Sequence, residues 1–236
     1  MESPEKIFNL HLGNIDISVG NSAFWMITAT AALAILFYTF RQYSIRPNKT
    51  QNIFEVIYEF IEKEIVVTVG LGKEWLSFLF ALFLFILSNN YLGLIPGIHT
   101  PTSKITVTAT LALIVFFSVH FVGFRQKGFF GYLKSILPAG VSGPVLILLF
   151  PLEIVSQLLR PFSLAIRLFA NLTAGHLLIL SFLGFNLIFR SFFVYPLGLA
   201  GAIVISLFEI FVGFIQAYIF TFLSALYIKE AVSESH

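Results

Sequence analysis

Long apolar runs separated by short polar stretches set the rhythm of this chain. Runs of about 20 residues, the length that crosses a bilayer, lie near 22–40, 75–95 and 104–124, and two runs of about twice that length follow near 143–189 and 192–228. Between the first two, "NIFEVIYEFIEKEIVVTVG" keeps a different beat. Phe54, Ile57, Tyr58, Ile61 and Ile65 recur at helical spacing while Glu55, Glu59, Glu62 and Lys63 take the other positions. That pattern predicts an amphipathic helix lying at the membrane interface rather than a span. Turn signals separate the remaining runs: "RPNKT", "IPGIHTPTSK", "FRQKGFFGY" with "LPAGVSGP", and "FRSFFVYPLG".

The two double-length runs constrain the architecture. Forty-odd helical residues reach about 60–70 Å, twice the roughly 30 Å of hydrocarbon. Pro161 and Gly175 offer possible breaks in the first run, yet neither run contains a hydrophilic loop. The reading is two long helices with local kinks, strongly tilted as a hairpin. The expected fold is therefore an all-α polytopic membrane protein with five crossings and one interfacial amphipathic helix. It divides into an N-terminal outer-side segment at 1–21, a transmembrane helix at 22–41 and the interfacial helix at 51–68. A transmembrane helix pair at 75–124 and the long tilted hairpin at 140–229 complete it.

Composition agrees. The chain has 236 residues, 58% hydrophobic and only 11% charged, against about a quarter charged in soluble domains. Its mean hydropathy is +0.92. The net charge of +2 records where the cations sit rather than an anionic partner, and no basic cluster suggests nucleic acid. With the N-terminus outside, nine of the 14 Lys and Arg fall on the cytoplasmic side; Lys6, Lys104 and Arg190 fall outside, and Arg160 and Arg167 lie within the membrane. The positive-inside rule thus favours N-out, C-in. The first twenty residues do not read as a cleavable signal. The chain has no cysteine, which excludes disulfides and thiolate metal sites.

Candidate chemistry concentrates in "PLEIVSQLLRPFSLAIRLFANLTAGH", Pro151 to His176. Ionisable groups at membrane depth are expensive and are by default functional. On a helix, Glu153, Ser156, Arg160 and Arg167 share one drifting stripe, and Asn171 continues the face of Arg167. Glu209 and Gln216, seven apart, form a second stripe in the last run. In a hairpin turning near Arg190–Phe192, residues at equal depth have numbers with a constant sum. Arg167 with Gln216, and His176 with Glu209, satisfy this to within two.

The expected ladder is an imidazole beside a carboxylate toward the outer face, a guanidinium beside a carboxamide near mid-membrane, and Glu153 toward the cytoplasm. Arg stays charged and passes no protons, whereas His176 and Glu209 can exchange them. Nothing at the depth of Arg167 is an obvious carboxylate partner, which points to a counter-ion on another subunit. Arg160, nearer the cytoplasmic end, reads as snorkelling to lipid phosphates. His99 and His120 read as incidental, and Ser156, Thr173 and Gln216 are equally open to a role as glue between spans.

No Walker-type loop, HExxH, GxSxG or helix-opening GxGxxG occurs. No cofactor or metal is implied, and the chain has no room for a soluble catalytic domain. Two other readings stay open from the residues alone. A self-contained secondary transporter or channel predicts transport by the purified chain; a passive anchor predicts that Arg167→Ala is tolerated.

The stretch "RPFSLAIRLFANLTAGH", preceded by "PLEIVSQ" and followed by "FEIFVGFIQAYIFTFLSALYI", resembles subunit a of the rotary F-type ATP synthases. The resemblance extends to "SNNYLGLIPG" at Ser88 to Gly97 and covers most of the chain. It implies an essential rotor-facing arginine at Arg167, with Asn171 as its companion and Gln216 as the glutamine of the last helix. It also implies a proton path through His176 and Glu209, with His and carboxylate in the reverse of an arrangement seen elsewhere in the family. Glu153 would border the cytoplasmic path. The implied partners are the c-ring, the peripheral-stalk b subunits, membrane lipids and protons. The implied location is an energy-coupling membrane, the bacterial plasma membrane.

Overall fold

The computed structural model describes residues 6–8, 11–12, 15–16, 19–39, 49–94, 104–135, 145–189 and 194–233. From Asn21 on, the described residues are almost entirely helical. Six α-helices follow one another: α1 (Asn21–Thr39), α2 (Lys49–Ile61), α3 (Leu76–Leu92), α4 (Ile105–Ser135), α5 (Val145–Phe189) and α6 (Val194–Val232). Before α1 lie short antiparallel pairings, β1 (Lys6–Phe8) with β4 (Val19–Gly20) and β2 (His11–Leu12) with β3 (Ile15–Asp16). Among the described residues four helices, α3 to α6, are long and apolar enough to cross a membrane, and Phe24–Ile35 of α1 is a shorter apolar stretch.

The two double-length runs form continuous helices of 45 and 39 residues that pack together as a hairpin. Pro151 and Pro161 lie inside α5 without ending it. Proline removes one backbone donor, a loss that membrane helices absorb through neighbouring helices and polar side chains. At the start of α6, Pro196 falls in the first turn, where a missing N–H is harmless, so "VYPLG" is helical rather than a turn.

The turn signal at "FRQKGFFGY" marks a kink between two helical segments. The helix runs on through Lys127 and bends only at Gly128, whose φ of 70° and ψ of 168° leave the helical region. A short helical segment then folds back, seating Tyr132 against α4. A β-carbon on Gly123 would fall 2.2 Å from the Tyr132 ring, so that bend needs glycine at both positions. "LPAGVSGP", "IPGIH", Arg41, Arg46, His99 and Arg190 lie outside the described residues.

The core gathers around α6, which packs against α3, α4 and α5, while α1 and α2 cover α3. Leu79, Phe83 and Ile86 of α3 are fully buried with Val115 of α4, Leu164 and Leu168 of α5, and Phe220 and Ile228 of α6. By contrast α5 is the least enclosed span and leaves large residues exposed along its length, including Leu152, Leu159, Phe162 and Leu177.

The amphipathic segment docks on this core. Phe60 meets Phe83 at 6.4 Å and Tyr218 at 5.8 Å between ring centroids, and Tyr58 meets Phe80 edge-on. After Ile61 the chain widens into a π-helix over Glu62–Val67. The Thr68 hydroxyl donates to the Lys63 carbonyl five residues back, and Ile61, Ile65 and Val66 are all buried. Gly70, at φ 71°, closes the segment: its N–H donates to the Val67 carbonyl and the Leu71 N–H to the Val66 carbonyl. This is the left-handed glycine stop of a Schellman turn. Outside, Lys63 pairs with Glu59 at 3.0 Å, and that hydrogen bond is the main cause raising the Lys63 pKa.

Candidate functional site

The hairpin and α3 bring polar side chains together at three levels. At the first, His176 of α5 faces Glu209 of α6, with Nδ1 2.9 Å from Oε1. The same nitrogen lies 3.1 Å from the Leu172 carbonyl, and Nε2 lies 2.9 Å from the carbonyl of Gly93, the residue that caps α3. Glu209 is only 5% exposed. It fits because its neighbour on α5 is Gly175: a β-carbon there would sit 2.8 Å from the Glu209 carboxyl carbon. On α3, Asn90 donates to the Gly213 carbonyl of α6 at 3.1 Å and fixes that helix against the pair.

Several buried polar atoms near this level have no partner among the described residues: Oε2 of Glu209, Oδ1 of Asn89 and Asn90, Oγ1 of Thr173 and Nε2 of Gln216. Each would cost about 1–3 kcal/mol if kept dry. Such clustering is unusual in a finished protein interior.

At the second level, Asn171 donates to Oε1 of Gln216 at 2.9 Å. The sequence reading set Gln216 beside Arg167; the structure pairs it instead with Asn171, one helical turn further on. Arg167 itself is exposed, although Leu164 and Leu168 on either side are buried in the core. No hydrogen bond or ion pair to Arg167 occurs among the described residues. The guanidinium stands on the open side of α5, consistent with a counter-ion outside this chain.

At the third level, Arg160 is held rather than snorkelling. It pairs with Glu230 near the end of α6, lies 3.9 Å from Glu153 about two turns back on α5, and stacks over the Tyr227 ring at 4.9 Å. Its planar, permanently charged fork suits two carboxylates and an aromatic face together. Ser156 is half-buried between these groups along the same helix. Beside Glu230, Lys229 donates to the Gly70 carbonyl at 2.7 Å, tying the end of α6 to the interfacial segment.

Sequence reasoning missed Asn90, Gly93 and Glu230, took Gly175 as a possible break where α5 in fact runs on, and set His120 aside. His120 in fact reaches Gln157 of α5, with Nε2 3.1 Å from Oε1. The signal for Gly175 was present, since a glycine beside a membrane histidine invites close helix approach. Gly93 acts through its carbonyl, which leaves no trace in residue type. Among the described residues no group of three His, Asp or Glu side chains converges to hold a metal ion.

Long apolar helices carrying buried and half-buried ionisable groups define a multi-pass membrane protein. The family model of the ATP synthase A chain matches residues 23–229, and the chain belongs to that family. An ATP synthase subunit a of Magnetococcus marinus is 41% identical over 242 residues, covering 97% of this chain and 90% of that protein. Those of Brucella canis and Brucella abortus are 39% identical, covering 96% of this chain and 94% of each relative.

Proposed function

We propose that this chain is the proton-carrying stator subunit in the membrane sector of an F-type ATP synthase, working against a c-ring and braced by peripheral-stalk b subunits. The observation that carries the reading is the unpaired, outward-facing Arg167 set between two polar clusters. A charge at that depth needs a partner. A ring of passing carboxylates supplies one in turn without ever pairing permanently.

The five-crossing, N-out arrangement follows from the cation distribution and from α1 as a further span, in a bacterial plasma membrane. On this reading His176 and Glu209 border the outer half-channel, where the orphaned polar atoms of Asn89, Asn90 and Thr173 suit a file of water. Glu153, with Arg160 and Glu230, borders the cytoplasmic half-channel, and Asn171 with Gln216 supports the arginine between them. Protons from outside neutralise a rotor carboxylate near Glu209 and leave on the cytoplasmic side after the ring has turned. Arg167 attracts deprotonated carboxylates and prevents direct leak. Each proton crossing supplies about 2.3 kcal/mol per 100 mV.

The test is ATP-driven proton pumping in vesicles carrying the assembled complex with Arg167→Ala, beside passive leak through the same vesicles. Abolished pumping with normal assembly is the expected result. Retained pumping would leave the chain an anchor or a transporter of its own.

A further inference from the structure

Both ring nitrogens of His176 sit against oxygen atoms. Nε2 lies 2.9 Å from the Gly93 carbonyl, while Nδ1 lies 2.9 Å from Glu209 Oε1 and 3.1 Å from the Leu172 carbonyl. A neutral imidazole donates from one nitrogen and accepts at the other. If Nδ1 carried its proton, the lone pair on Nε2 would face the Gly93 carbonyl, which cannot donate. If Nε2 carried it, Nδ1 would need a donor. A protonated Glu209 meets that need at Oε1, but the Leu172 carbonyl then faces the same lone pair. The arrangement that satisfies all three contacts has a proton on each nitrogen and a carboxylate at Glu209.

The backbone favours the same state. Gly93 closes α3, so its carbonyl belongs to the negative end of that helix, where a cation is stabilised. Glu209 on α6 is the carboxylate in contact. From α3 the nearest titratable side chain is Tyr91, packed on Gly213 one turn along α6 from Glu209. Arg167 stands nine residues back on α5, about 13 Å along its axis, several times further from the ring than the Glu209 carboxylate at 2.9 Å, so the carboxylate dominates the local field.

We propose that His176 stands in the outer path as a lasting imidazolium, a positioning residue, and that the proton in transit exchanges at Oε2 of Glu209. That oxygen is buried and has no partner among the described residues. An O–H bond breaks in a hydronium of the outer path as one forms at Oε2; this bond then breaks as the proton passes to the rotor carboxylate. The ring keeps both of its protons throughout. Oε1, held by Nδ1, orients the carboxylate so that its sister oxygen is the one presented. The inference rests on the half-channel reading above and divides the labour between two residues that the sequence leaves equivalent.

The test is nitrogen-15 spectroscopy of the complex in lipid, labelled at histidine, with His176 assigned by difference against His176→Gln or, if that variant fails to assemble, His176→Lys. Two protonated ring nitrogens from about pH 6 to about pH 8 are expected, spanning the ordinary histidine range. An unprotonated ring nitrogen of His176 within that span would overturn the proposal. In pumping assays His176→Lys, which keeps a cation, is expected to retain at least about tenfold more activity than His176→Gln, a difference typical of one charge-assisted contact. Equal activities would also overturn it. If Arg167→Ala leaves pumping intact, the proposed function falls while the spectrum still reads the ring. A neutral ring beside a blocking Arg167→Ala sinks this inference alone.

Discussion

Asn171 and Gln216 join α5 to α6 through a single amide contact of 2.9 Å, one turn from the exposed Arg167. The bond consumes the donor side of Asn171 and the acceptor side of Gln216, and it leaves the Gln216 amide nitrogen buried without a partner. It therefore fixes the two helices at the level of the arginine without neutralising it.

Removing either amide should be much milder than removing the arginine. Gln216→Ala and Asn171→Ala are each expected to slow ATP-driven pumping severalfold, and the double variant should be little worse than either single one. Residues that share one contact are non-additive in this way. Pumping rates of the three variants in one vesicle preparation check it, and fully additive losses would show that the two side chains act separately.

Gly175→Ala places a methyl group where the Glu209 carboxyl now lies, 2.8 Å from its carboxyl carbon. Displacing the carboxylate by even part of an ångström should slow proton flow at least about tenfold, since small misplacements of reacting groups are costly. Assembly should survive, because Gly175 is only half-buried. Proton conduction through the complex is the measurement; an unchanged rate would mean that Glu209 is not where protons pass.

Arg160→Ala and Arg167→Ala should separate stability from transport. Arg160 holds Glu153, Glu230 and Tyr227 together in a partly exposed cluster. Its loss should lower stability by about 1 kcal/mol, as partly solvated pairs do, and leave much of the pumping intact. Arg167, without a partner in the chain, should contribute little to stability and abolish pumping when replaced. Thermal unfolding in detergent beside vesicle pumping distinguishes them, and matching profiles would contradict the assignment.

At the end of the interfacial segment, Gly70→Ala should destabilise by about 1–2 kcal/mol, because φ of 71° forces a side chain into the left-handed region. Lys229→Ala, which removes only the exposed contact to the Gly70 carbonyl, should cost less than about 1 kcal/mol. Thermal melting of both variants provides the check.

Much of the fold was legible because lipid leaves few choices. Apolar runs longer than the bilayer is thick had to become long helices, and Phe54, Ile57, Ile61 and Ile65 announced an interfacial helix by spacing alone. Hairpin geometry likewise set His176 opposite Glu209, since one turn places both strands of the ladder in register. What stayed hidden depends on exact rotation and backbone. A shift of one turn exchanges Asn171 for Arg167 beside Gln216. Nothing in the sequence singles out Glu230, which gains its partner only because α6 ends beside Arg160, whereas the turn signal at "FRQKGFFGY" did land on the bend at Gly128. The Gly93 carbonyl belongs to the main chain, so no pattern of side chains points to it.

The length of α5 has a mechanical meaning. Forty-five residues reach about 67 Å, and fitting that length into about 30 Å of hydrocarbon makes the helix climb less than half as fast as it advances. From Glu153 to His176 it advances about 35 Å but rises only about 15 Å, so the two groups are displaced sideways by about twice their difference in depth. Sites stacked vertically would short-circuit a gradient. On the proposed function, sites spread along such a shallow ramp would face different members of a passing ring, and the lean of one helix would thereby set how far a proton must ride and in which sense.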